Sequence, residues 1–157
     1  RTRKTKDTQI RRFTMGMKEN LEKLAATMKR WQKLENAAIA QTARIMEQTE
    51  HPLIRQVMEI IQNDSKNHYR VQQLIIDSVE KEYINVFTDD LAAAWESIEK
   101  HIALEKKTIE MAAESLAALE GSKNVVQLYL LDYLKKDEEK HDAMLEDLSR
   151  IKKAMYP

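Results

Sequence analysis

Almost nothing in this chain can stop a helix. Two glycines and two prolines are spread over 157 residues, so turns must be few and regular elements long. Three stretches combine a breaker or a cap with a change of pattern. In TEHPL, residues 49–53, Pro52 suits the first turn of a helix, where its missing N–H costs nothing. NVFTDDL, residues 85–91, offers Thr88, Asp89 and Asp90 as cap and first-turn residues. EGSKN, residues 120–124, offers Gly121 as a C-terminal stop and Ser122 as the next N-cap. Four segments remain, roughly 12–49, 52–85, 89–120 and 123–154, each on the order of 45 Å long at the helical rise. Short connections make long neighbours antiparallel. The expected fold class is therefore all-α, an up-down four-helix bundle built from two helix hairpins. Residues 12–157 form that bundle in this reading, and the basic opening, residues 1–11, is a frayed tail.

Composition narrows the function classes. Charged residues are 33% of the chain and aromatics 6%, a helical-bundle profile. Lys plus Arg and Asp plus Glu are both 26, so no net field favours nucleic acid or an anionic membrane, and neither is an expected partner. No apolar run approaches the length of a membrane span. The absence of cysteine excludes disulfides, zinc ribbons, thiol catalysis and a rubredoxin-type iron centre within this sequence. No signal-peptide pattern is visible, and a cytoplasmic setting is expected.

Each segment carries a stripe at heptad spacing, apolar except near its middle. The first runs Met17, Leu21, Leu24, Met28, Trp31, Glu35, Ala38, Thr42, Ile45. The second passes from Ile54, Val57 and Ile61 through Asp64 and His68 to Val71 and Ile75. In the third, Glu105 interrupts Ile98, Ile102, Ile109, Ala112 and Leu116. In the fourth, Glu138 and His141 stand between Leu131, Leu134, Leu145 and Leu148. Glu35, His68, Glu105, Glu138 and His141 all lie about 16 to 19 residues from the turn of their own hairpin, on the order of 25 Å along the helix. Equal distance from the turn means equal height in an antiparallel bundle, so the five should share one layer. Buried and unpaired, such groups would each cost several kcal/mol. Three carboxylates and two imidazoles suit iron, manganese or zinc, and Glu138 and His141, at i and i+3, point from one helix face. A buried ion-pair network is the plainer alternative. The halves also echo each other: LENAAI at 34–39 and LEKKTI at 104–109, then DSKNH at 64–68 and DEEKH at 137–141.

These motifs resemble the ferritin-like di-iron carboxylate family, nearest in layout to the helical domain of rubrerythrin, over about residues 14–152. That family takes a Glu from each of two helices and a Glu-x-x-His from each of the other two. The resemblance matches Glu35 and Glu105 to the single carboxylates, Glu138 and His141 to one full motif, and His68 to the histidine of the other. Ser65 stands where the family has a bridging Glu, so the resemblance leaves the second ion short of a ligand. Asp64, one residue earlier, is a candidate substitute. His101, one turn before Glu105, is a candidate ligand or a donor that orients one. The resemblance implies two iron ions as cofactor, with manganese or zinc as alternatives. It also implies oxidoreductase activity on peroxide, O2 or ferrous iron, an electron-donor protein as partner, and a homodimer. The competing reading is a metal-binding or metal-free structural bundle without catalysis.

Single residues off the layer have plain readings. His51, before Pro52, belongs at the surface. Trp31 reads as core, and Tyr69, Tyr129 and Tyr133 as packing residues. The eight methionines read as adaptable core filler.

Overall fold

The computed structural model describes the side chains of residues 16–81 and 91–154. The expected basic tail and the Thr88–Asp90 cap lie outside these residues. Among the described residues there are four helices: α1, Thr2–Glu47; α2, Pro52–Glu80; α3, Thr88–Ala118; and α4, Val125–Met155. No strand occurs among the described residues. The fold is all-α, as expected, with α1 packed on α2 and α3 on α4. The chain divides into two compact units, Arg1–Ile84 and Asn85–Pro157, each a helix hairpin.

The first turn follows the chemistry of its residues. His51 is extended (φ −69°, ψ 117°) and Pro52 opens α2 with no side-chain cap. Arg55 closes the junction instead, donating from Nη1 to the carbonyls of Met46 (2.6 Å) and Thr49 (3.2 Å). These are carbonyls that the end of α1 leaves unpaired. The second turn contains one correction. Gly121 does stop α3, with φ +74°, a conformation that costs glycine little. Ser122, however, is not the N-cap of α4. Its Oγ accepts the Asn124 N–H (3.4 Å), while the Asn124 carbonyl accepts from Leu128 (3.0 Å) and begins the helix. The glycine turn takes two residues more than the sequence pattern indicates before helical geometry resumes.

In both hairpins residue numbers run in opposite senses across the seam. Lys29 meets Glu80 at 2.5 Å, Gln32 Nε2 donates to the Tyr69 carbonyl (3.3 Å) and to Gln73 Oε1 (3.1 Å), and Gln62 Nε2 donates to the Ile39 carbonyl (3.3 Å). In the other hairpin, Lys152 lies 4.0 Å from the centroid of the Trp95 ring, and Thr108 bonds Glu138. The seam of the α3–α4 hairpin follows the apolar stripe. Leu91, Glu105 and Ala112 are buried, and Ile98, Ile102, Ile109 and Leu116 are half-buried.

The seam of the α1–α2 hairpin follows it only in part, at Met28, Glu35 and Thr42. Its buried residues are Ala25, Met28, Gln32, Glu35 and Thr42 on α1, with Ser65, Gln72 and Ile76 on α2. Trp31, expected in the core, is 49% exposed, and Leu24, Ile54, Ile61 and Val71 are exposed with it. The reason is geometric. An amphipathic helix offers an apolar face wider than 100°, and one neighbouring helix covers only part of it. Here the covered part mixes Ala25, Met28 and Ile76 with the polar Gln32, Glu35, Thr42, Ser65 and Gln72. Among the described residues no helix is long and apolar enough to cross a membrane.

Candidate metal centre

On the α3–α4 hairpin three expected ligands converge. Glu105, Glu138 and His141 each offer one donor atom, and all three atoms lie within 4.8 Å of one another. The His141 Nδ1 is 3.6 Å from Glu105 Oε2 and 3.6 Å from Glu138 Oε2. These separations are too long for hydrogen bonds. They are close to the roughly 3.4 Å between two atoms held tetrahedrally about 2.1 Å from one ion. Local sequence creates the arrangement: Glu138 and His141 share one face at i and i+3, and Glu105 faces them from the centre of the α3 seam. Glu105 is only 6% exposed.

The electrostatics of this group are unbalanced. Glu105 Oε2 is buried and has no hydrogen-bond partner, whereas its Oε1 lies 2.8 Å from His101 Nε2. A hydrogen bond with Glu138, reinforced by burial, holds the Glu105 carboxyl above its ordinary value, while the same bond holds Glu138 below. Two facing carboxyls hydrogen-bond only while one of them is protonated, and the proton is favoured on Glu105, the more buried of the two; once both are ionised, Glu105 Oε2 has no donor. Thr108 orders the other side. Its hydroxyl lies 2.8 Å from the Glu105 carbonyl and donates to Glu138 Oε2 at 3.1 Å. A cavity of about 500 Å³ lined by His101, Glu105, Glu138, His141, Met144 and Leu145 opens beside the group. A dication fits this donor set: two hard oxygens and one imidazole nitrogen, with a buried oxygen that lacks a partner. His101 stands apart from the three, since it touches the other Glu105 oxygen. In this position it orients the carboxylate.

No family model, curated protein or solved structure matches this chain. The chemistry of the site must be read from its residues.

The α1–α2 hairpin brings together the other two expected ligands. His68 Nδ1 lies 3.4 Å from Glu35 Oε1, but only Glu35 is buried: the His68 side chain, expected in a core layer, is 60% exposed, because it sits at the rim of a seam covered by one neighbouring helix. Asp64 does not join them: among the described residues no third Asp, Glu or His completes a group with Glu35 and His68. Instead Gln72 Nε2 donates to Glu35 Oε1 at 3.3 Å. Ser65 is buried in the seam, 5% exposed. His51 is exposed, as expected.

Two residues that touch the carboxylates escaped the pattern reading, Thr108 and Gln72. Each has a signal in its spacing. Thr108 is one turn after Glu105, and Gln72 is one turn after His68 and two after Ser65, so each shares a face with an expected site position.

Proposed function

We propose that this chain is a metal-binding carboxylate protein of the ferritin-like kind. Glu105, Glu138 and His141 hold a dication, and Glu35 and His68 contribute to a second. Iron at these positions would supply one-electron redox chemistry toward peroxide, O2 or ferrous iron, which makes the chain an oxidoreductase that draws electrons from another protein. The observation that carries the reading is the Glu105 carboxylate: it is buried, one oxygen has no partner, and a second carboxylate and an imidazole lie against it. A dication offsets the two carboxylate charges, pairs the orphaned oxygen and takes the imidazole of His141 as a nitrogen ligand. His101 fixes the orientation of Glu105, Thr108 fixes that of Glu138, and Met144 and Leu145 make the adjoining cavity partly apolar.

Elemental analysis of purified protein after anaerobic incubation with ferrous iron tests this. About one or two ions per chain are expected, with a visible absorption change on adding peroxide. A chain that binds no iron, manganese or zinc overturns the reading.

The 2.8 Å contact between His101 and Glu105 favours a second reading, a metal-free bundle whose polar residues pair with one another and fix register. In that case chelator leaves the melting temperature unchanged. A metal-held layer loses stability, because the ion binds the folded chain alone.

A further inference from the structure

We infer that Gln72 is the third donor of a metal subsite on the α1–α2 hairpin, its carboxamide oxygen joining the Glu35 carboxylate and the His68 imidazole. The inference rests on the metal-binding reading above and adds to it a ligand of a type that the Glu and His motifs do not contain.

Two contacts meet at one atom, and a third observation concerns the far end of the amide that makes one of them. Glu35 Oε1 has His68 Nδ1 at 3.4 Å and Gln72 Nε2 at 3.3 Å, within the roughly 3.0–3.5 Å expected between adjacent ligands of one small dication. Gln72 is 4% exposed, so its amide lies inside the seam. Its Oε1 is buried with no hydrogen-bond partner. The carboxamide therefore has one end paired with Glu35 and the other end paired with nothing.

A half-turn about the terminal torsion of glutamine exchanges its oxygen and nitrogen, and that torsion is soft and roughly two-fold. With no cation present, the nitrogen faces Glu35 and donates to it. The reversed amide would set oxygen against oxygen at the same separation, which is unfavourable unless a positive charge lies between them. A cation favours the reversed form: it pairs the oxygen and leaves the amide nitrogen where the oxygen now stands, so the charge of the ion has to carry the exchange. Carboxamide oxygen is a hard ligand suited to Mn2+, Fe2+ or Mg2+. Gln72 thus occupies the role that Ser65 leaves open and Asp64 does not take up. With Gln72 and His68 neutral, this subsite carries one negative charge against two for Glu105, Glu138 and His141. It is the weaker of the two and fills second.

The test uses the full chain with Glu138→Gln and His141→Ala, which disable the α3–α4 group, titrated with Mn2+ and followed by electron paramagnetic resonance of the free ion. One weakly held Mn2+ per chain is expected to remain. Adding Gln72→Met should lower its affinity by about tenfold or more, since even partners outside the ligand set typically account for 10–100-fold. Adding Gln72→Glu should raise it by a similar factor. Unchanged affinity in Gln72→Met, with a lower melting temperature in chelator, makes Gln72 a packing residue and overturns the inference. Should Gln72→Met fail to fold, Gln72→Glu decides: tighter binding supports the inference and unchanged binding overturns it. If the unaltered chain binds one ion and the disabled chain none, the inference fails while the metal-binding reading stands. If the unaltered chain binds none, both fail.

Discussion

Replacing Glu105 by glutamine should shift the stability of the metal-free and metal-loaded protein in opposite directions. In chelator, at a pH where both carboxyls are ionised, Glu105 keeps Oε2 buried without a donor, a deficit of about 1–3 kcal/mol. The new amide is nearly isosteric. Its nitrogen donates toward Glu138 without needing a shared proton, and its oxygen still accepts from His101. What is lost is the charge on the His101 contact. That histidine side chain is 58% exposed, so the loss amounts to about 0–1 kcal/mol. The net change is a gain of about 1 kcal/mol, or a melting temperature higher by about 2–4 °C for a chain of this length. With a dication at a hundred times its dissociation constant, wild type gains about 2.7 kcal/mol, or about 5–11 °C. Glu105→Gln, with one charged ligand fewer, gains far less. Thermal melts by circular dichroism in chelator and in excess Mn2+ should therefore cross. A Glu105→Gln protein that melts below wild type in chelator, beside a wild type indifferent to Mn2+, would refute the reasoning and favour the ion-pair network.

The same carboxylate pair fixes a pH dependence. Glu105 titrates above its ordinary value of 4.5, so its contribution is fully present below 4.5 and is lost as pH rises through the raised value. Glu138 titrates below its ordinary 4.5, and its contribution is present above 4.5 and lost as pH falls through the lowered value. Melting temperature in chelator should decline as pH rises from about 5, and Glu105→Gln should flatten that decline; an equal slope in both proteins counts against a shared proton. Thr108→Val removes the hydroxyl that donates to Glu138 at 3.1 Å and should weaken metal binding by about 10–100-fold, measured by competition with a chelator of known affinity. Gly121→Ala probes the backbone alone, because φ is +74° and an added Cβ meets no atom within 4 Å. It should cost about 1 kcal/mol and lower the melting temperature by about 2–4 °C, with metal affinity unchanged.

How far the sequence could be read depended on whether a helix's apolar stripe was also its hairpin seam. In α3 the two coincide: Ile98, Ile102, Ile109, Ala112 and Leu116 line the seam, and Glu105 is buried where the stripe is interrupted. An acid in the middle of such a stripe is conspicuous, which is why Glu105, Glu138 and His141 were legible. In α1 and α2 they coincide only in part, at Met28, Glu35 and Thr42. The hairpin closes along Gln32, Thr42, Ser65 and Gln72, whose side chains are buried and two of which, Gln32 and Gln72, hydrogen-bond across it. Trp31, Ile54, Ile61 and Val71 lie on the exposed side of the same face. Glu35 was legible because it belongs to both patterns, lying on the apolar stripe and in the seam. Gln72 belongs to the seam alone. Glutamine on a helix ordinarily marks solvent, and no periodicity separates an amide that faces water from one closed between two helices. The spacing that placed candidate donors on the apolar stripes could not reach an amide on a polar seam. It is on the polar seam that the α1–α2 hairpin buries a carboxylate bonded to an amide whose own oxygen has no partner.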